Sequence, residues 1–211
     1  SSYSRDDLKR MKRIYDVYVA TEGYGALRYV MRFLQWEHGK RAIDFLHEFN
    51  DAVRREPERF PASTWVLAVF NHQKCMPGGW RGFYDEVRRF ITGAYGIEPD
   101  SALEVILRAN ELAMPDESIV YPRAVQLEHD FVAWFREHNV RVGRPAQIRP
   151  LASYPGGEFE VDDPDGMASI DFEYQQYDSH QYFWELRSPV ARAQSSADIK
   201  GKQPSFSARA S

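Results

Sequence analysis

Three short stretches of this sequence bring chemistry-bearing side chains close together. Glu128-His129-Asp130, followed by Trp134 and by Glu137-His138, sets carboxylates and imidazoles in one neighbourhood, the residue types that general acid–base catalysis uses. The plainer reading gives Asp130 the job of capping a short helix from Phe131 to His138. Asn71-His72-Gln73-Lys74-Cys75-Met76 spaces an imidazole and a thiol three apart, so on a helix end both would face one side and could ligate a metal. Two ligands do not close a zinc site, and a buried thiol beside a hydrogen-bonded histidine explains the pair equally well, so no metal is expected here.

The third stretch runs from Tyr174 to Glu185 and is dense in rings and amides, with Tyr177, His180 and Tyr182 among them. Amphipathic aromatics interleaved with polar groups suit a surface that faces a ligand or a partner; they also suit the mixed face of a small sheet packed on helices. Pro77-Gly78-Gly79-Trp80-Arg81-Gly82 reads as a turn with a tryptophan anchor, because the Gly-x4-Gly-Lys-Ser/Thr spacing of a phosphate loop is absent and so is Gly-x-Gly-x2-Gly. Neither Gly-x-Ser-x-Gly nor His-Glu-x2-His occurs, which removes the usual starting sets of hydrolases.

The elements that must position these residues follow from periodicity. Ser4 precedes Asp6, Asp7 and then Leu8, Met11, Ile14, Tyr15 and Tyr18, a cap and an apolar stripe that predict a helix over Arg5 to Ala20. Leu27, Val30, Met31 and Leu34 predict a second, ending near Glu37 with Gly39 as its stop. Ala42, Phe45, Leu46, Phe49 and Val53 predict a third to Arg55, before Pro57 and Pro61. Ser63 or Thr64 would cap a fourth over Trp65 to Lys74, whose apolar run also fits a buried strand. Trp80, Phe83, Tyr84, Val87, Phe90 and Ile91 share the face of a fifth that reaches Gly93 or Gly96. Asp100 caps a sixth over Ser101 to Met114.

Beyond Pro122 the period changes. Val125 to Glu128 alternates as a strand does, and the Phe131 to His138 helix follows. Phe159-Glu160-Val161 and Ile170 to Tyr174 alternate apolar and polar residues across Asp163-Pro164-Asp165-Gly166, a turn sequence, and Tyr182 to Leu186 offers a further strand. After Pro189 large apolar groups almost vanish, which predicts a flexible tail. The expected fold is α+β, with a mainly helical module over residues 1–139, a small antiparallel β-rich extension over 140–190 and a tail over 191–211.

The 211 residues carry a formal charge of 27 − 31 = −4, with a pI near 5.9, so the totals show no footprint for nucleic acid. Apolar runs such as Trp65 to Phe70 are far shorter than the roughly 20 residues of a membrane span. The opening residues Ser1 to Asp7 lack the basic and apolar pattern of a secretory leader, which sets the expectation of a cytoplasmic chain. Cys75 is the single cysteine, so this chain can form no internal disulfide and no multi-thiolate cluster.

Tyr3 to Met11, Leu27 to Gly39, and Tyr121-Pro122-Arg123-Ala124-Val125-Gln126-Leu127-Glu128-His129-Asp130-Phe131 together resemble the region downstream of the barrel in cobalamin-dependent radical SAM enzymes. The resemblance extends over most of Ser4 to Ser188 and rests on helix-and-turn texture and the Tyr121 to Phe131 stretch. It implies a parent enzyme, a methyltransferase or a related carbon-skeleton enzyme, that uses cobalamin, S-adenosylmethionine and a 4Fe-4S cluster, with this region closing over a small-molecule substrate. The Cys-x3-Cys-x2-Cys and Asp-x-His-x2-Gly motifs that hold cluster and cobalamin in that family are absent, so both cofactors would be bound outside this chain, whose partner would be the remainder of the enzyme. Residues expected to face substrate or partner are Trp80, Tyr84, His129, Asp130, Trp134, Tyr177, His180 and Tyr182. The rival expectations are a stand-alone helical interaction module and an independent enzyme using Asp130 with His129 or His180.

Overall fold

The computed structural model describes residues 3–23, 25–69, 79–114, 116, 119–139 and 149–161. The first helix starts where its sequence says it should. The Ser4 hydroxyl accepts from the Asp7 N–H at 3.1 Å while the Asp7 carboxylate accepts from the Ser4 N–H at 3.0 Å, a reciprocal cap for α1 (Arg5–Tyr18). The chain then widens into a π-helical turn, Val19–Gly23, in which the Thr21 hydroxyl donates to the Val17 carbonyl at 2.7 Å. Arg28 reaches back to the carbonyls of Glu22 and Gly23, satisfying acceptors that the end of the helix leaves open.

Four further helices follow as α2 (Arg28–His38), α3 (Ala42–Arg55), α4 (Pro61–Val69) and α5 (Arg81–Tyr95), and then α6 (Ser101–Leu112). Gly39 and Gly96 end α2 and α5 in the left-handed conformation, at φ 65° and 63°. α4 starts at Pro61, four residues before the expected Trp65, because a proline is at home in the first helical position, where no N–H is needed. Its expected end at Lys74 lies outside the described residues.

β1 (Arg123–Leu127), α7 (Phe131–Asn139), a 3-10 turn at Leu151–Ser153 and β2 (Gly157–Val161) complete the described chain. β1 and β2 pair antiparallel, with Val125 opposite Phe159 and Leu127 opposite Gly157. Leu127, Phe159 and Val161 are buried while Gln126, Glu158 and Glu160 face out, the alternation of a sheet with one covered face. The segment 170–174, expected as a strand across the Asp163–Gly166 turn, lies outside the described residues; the partner observed for 157–161 is the stretch 123–127.

The fold is thus mainly helical with a small antiparallel sheet, an α+β arrangement. Two aromatic clusters fill it. Phe45, Phe49, Phe60 and Phe90 pack between α3 and α5, with Phe45 and Phe49 stacked at 5.7 Å. Tyr29, Phe33, Trp36, Phe131, Trp134 and Phe135 join α2 to α7, and Phe159 of β2 meets Phe131 edge-on at 5.4 Å. Such buried rings each contribute about 2 kcal/mol of transfer free energy, which is what fixes α7 and the sheet to the helices. No described helix is long and apolar enough to cross a membrane.

Candidate functional site

Two helices that lack a capping side chain of their own are started by a polar residue from another helix. α2 has Leu27 at its cap position, and its first-turn N–H groups are met by Asn110 of α6, whose Oδ1 accepts from Tyr29 N at 3.0 Å and from Val30 N at 3.4 Å. The same Asn110 donates to the Gly25 carbonyl at 2.7 Å and to the Tyr84 hydroxyl at 3.2 Å, and Tyr84 donates to the Ala26 carbonyl at 2.9 Å. At α4, Glu86 of α5 accepts from Ala62 N at 3.0 Å, Ser63 N at 2.8 Å and the Ser63 hydroxyl at 2.7 Å. A buried carboxylate at a helix N-terminus is favourably placed in the helix dipole. Ser63 and Thr64, expected as caps of α4, therefore lie inside the helix.

The start of α6 meets the turn between β1 and α7 in a more reactive arrangement. Ser101 Oγ lies 2.7 Å from His129 Nε2, and His129 Nδ1 lies 3.0 Å from the Tyr154 carbonyl oxygen. A carbonyl only accepts, so Nδ1 carries a proton, and in the neutral ring Nε2 is the acceptor for the Ser101 hydroxyl. The imidazole is buried at 9% exposure while Ser101 is half-buried. The tautomer and ring direction are those of a general base aimed at a hydroxyl.

Asp130, the residue paired with His129 in the sequence reading, has a structural task. Its Oδ1 accepts from Ala133 N at 2.9 Å as the cap of α7, and its N–H donates to the Pro155 carbonyl at 2.6 Å. Gly157 is needed beside it, since a Cβ there would fall 2.7 Å from Asp130 Cγ. The capping reading of Asp130 is the observed one, and the base's partner is Ser101, 28 residues earlier.

Glu37 lies close enough to Asp100 and His129 for their charges to act on it. Glu37 at the end of α2 accepts from Leu151 N at 2.7 Å and so holds the 3-10 turn that leads to Tyr154. Burial raises the Glu37 carboxyl above its ordinary value, against the Leu151 N–H and the Trp134 indole, while Asp100 and His129 act on it in opposite senses. The Trp134 N–H is near enough to help hold that charge yet outside hydrogen-bonding geometry, so among the described residues the buried indole nitrogen has no hydrogen-bond partner. Burial pushes the His38 imidazole down, opposed by Asp100. Tyr154 donates its hydroxyl to Glu137 at 2.6 Å, and His138 Nδ1 lies 2.6 Å from the Trp134 carbonyl, which it meets as a donor.

Of the residues expected to face a ligand, Trp80, Tyr84 and Trp134 are packed in the core, at 3%, 1% and 0% exposure. Burial raises the Tyr84 phenol well above its usual value, with the charge of Glu111 acting the same way, which suits its role as a neutral donor to Ala26. His129 and Asp130 lie together as their adjacency requires. Tyr177, His180 and Tyr182 lie outside the described residues, as do His72 and Cys75. Sequence reasoning missed Ser101, Glu37, Glu86 and Asn110 as partners, because each acts on residues distant in sequence, and only the cap signal at Asp100 drew notice to the start of α6.

Among the described residues no group of three metal-ligating side chains is present. An open hollow between α3 and α5 is lined by Glu48, Asp51, Arg54, Arg55, Phe90 and Ala94, where Glu48 already accepts from the Tyr95 hydroxyl at 2.6 Å. The meeting point of Ser101, His129 and Tyr154 is the better candidate, since it alone orients a base towards a hydroxyl among these features. No family model matches the sequence, and neither the curated proteins nor the solved structures yield a match.

Proposed function

We propose that this chain is the substrate-side, C-terminal region of a cobalamin-dependent radical SAM enzyme, a methyltransferase, with cluster and cobalamin held by other polypeptide. The exposed face of α1 carries the reading. Leu8, Met11, Tyr15 and Tyr18 recur at intervals of three, four and three residues and stand 51% to 64% exposed, while Val17 is the one residue of α1 that is buried. Ile43 of α3, which lies beside Ile14 and Val17 of α1, is itself 45% exposed. An apolar stripe of that length on an otherwise well-packed domain is a surface made to be covered.

The resemblance over Tyr3 to Met11, Leu27 to Gly39 and Tyr121 to Phe131 supplies the identity of the cover. The residues present do not fit either cofactor: with Cys75 as the single thiol and no Asp-x-His-x2-Gly signature, no step of radical or methyl-transfer chemistry can be assigned to these side chains. The chain's part in this reading is to dock through α1 and to close over the substrate. A stand-alone interaction module would use the same stripe, so the two readings differ in what covers it.

The test is association with the cofactor-bearing polypeptide. The coding sequence around this chain should specify a Cys-x3-Cys-x2-Cys protein, in the same frame or beside it, and adding that protein should protect α1 from amide exchange. Cofactor chemistry, read as cleavage of S-adenosylmethionine, should need both parts. If no such motif is encoded there, or if α1 exchanges equally fast with and without that protein, the radical SAM reading fails and the interaction-module reading takes its place.

A further inference from the structure

We propose that Ser101 and His129 form a nucleophile–base pair that accepts an acyl group from a neutral or cationic ester or thioester. The inference is independent of how α1 is covered. Its basis is that three requirements of an activated serine coincide at one point of the fold. The Tyr154 carbonyl, 3.0 Å from Nδ1, fixes the tautomer; Nε2 then directs its lone pair at Ser101 Oγ, 2.7 Å away; and Ser101 is the first residue of α6, where the helix dipole favours negative charge. The backbone carbonyl takes the orienting place that a carboxylate fills in other triads.

Asp100 takes the Leu103 N–H at 2.9 Å, and its carbonyl takes the Glu104 N–H at 3.1 Å. The N–H groups of Ser101 and Ala102, the first two of the helix, have no acceptor within it and are the donors this proposal assigns to an oxyanion. A plain structural tie between α6 and the β1–α7 turn would account for the two hydrogen bonds. Ser101 as a residue is only half-buried at the helix start while His129 is buried, which is the arrangement an approaching acyl donor needs.

The chemistry balances without a further oxidant or cofactor. Oγ bonds to the acyl carbon as its proton moves to Nε2, and the carbonyl pair shifts to oxygen. The intermediate collapses with cleavage of the bond to the alcohol or thiol, which leaves with the proton from Nε2. Water, deprotonated by the same nitrogen, then cleaves the acyl–serine ester and releases the acid. Substrate charge follows from the surroundings: Asp100 precedes Ser101, Glu128 precedes His129, and Glu37 lies close enough to act on both Asp100 and His129, so these carboxylates disfavour an anionic acyl group, whereas Glu104 is neutralised by its two hydrogen bonds from Arg88.

The experiment treats the full chain with a fluorophosphonate probe and, separately, with 4-nitrophenyl acetate, and maps adducts by peptide mass. Labelling is expected on the peptide holding Ser101, lost in S101A, slowed about 100-fold in H129Q, and absent after urea. Melting curves of S101A and H129Q identify any loss that reflects unfolding. Because H129Q removes a buried ring and can unfold, S101C supplies a second readout: its thiol should be alkylated by iodoacetamide faster than Cys75 in the folded chain, and no faster once urea is added. A folded chain with no adduct at Ser101, equal labelling in folded H129Q, or an ordinary alkylation rate in S101C would each reduce the pair to a structural tie and overturn the proposal.

Discussion

α1 and α2 are both amphipathic helices, of 14 and 11 residues, yet they are held in opposite ways. α1 carries its own start signal in Ser4 and Asp7 and leaves most of its apolar face in solvent. α2 has no cap of its own and buries Tyr29, Val30, Met31, Phe33 and Leu34; its first turn is completed by Asn110, 81 residues away. The contrast separates two meanings of an apolar stripe. In α2 the stripe and the borrowed cap belong to one core, so helix and tertiary structure form together. In α1 the helix is locally specified, and its stripe is surplus to the core.

If caps borrowed from other helices are cooperative with the fold, removing them should cost global stability. The largest effect is expected at Glu86, which performs for α4 what Asn110 does for α2. Glu86→Ala strands the partly buried N–H of Ala62 and the buried N–H of Ser63 and should lower unfolding free energy by about 3 kcal/mol, read from urea denaturation. Asn110→Ala should follow at about 2 kcal/mol, since it opens the first turn of α2 and also removes a donor from Gly25 and a partner from Tyr84. If either loss is confined to local fraying, the distinction between the two kinds of helix collapses.

These devices also show where the sequence was readable. α1, α3, α6 and α7 came through because Ser4, Pro57, Asp100 and Asp130 signal ends that act within three or four residues, and periodic apolar positions select the face. The start of α4 was misplaced because its cap is on α5: a glutamate 23 residues beyond Ser63 leaves no local trace. The β1–β2 pairing escaped for the same reason, since alternation predicts strands and not their partners. At the candidate site, His129 was visible by its type, but Ser101 was read only as the first residue after a cap. Nothing in a linear pattern says that the start of α6 abuts the turn before α7.

Smaller effects test the local side of the comparison. Ser4→Ala should fray the first turn of α1, seen as faster amide exchange at Asp7, with the melting temperature of the whole domain unchanged. Glu37 gives a pH signature where α2 ends. Its folded-state pKa is raised by burial, so its protonated form favours folding; that contribution is complete below about pH 4 and is lost as pH rises through the folded value. Glu37→Gln should therefore gain stability relative to the unaltered protein as pH rises from about 4 through the folded value. Partial solvation keeps this gain small. A difference that is flat with pH would mean the carboxyl is not held as the geometry indicates.

The smallest stability effect is expected where the apolar surface is largest. Replacing Met11 and Tyr15 together by lysine should change the unfolding free energy of the isolated chain by no more than about 0.5 kcal/mol, because both side chains already stand in water at 53% and 64% exposure. The same replacement should abolish association with the polypeptide that covers α1, since lysines in the middle of an apolar stripe must be desolvated on docking. An unaltered fold with lost association would establish the stripe as an interface. A marked loss of stability in the isolated chain would instead place α1 in the core alongside α2.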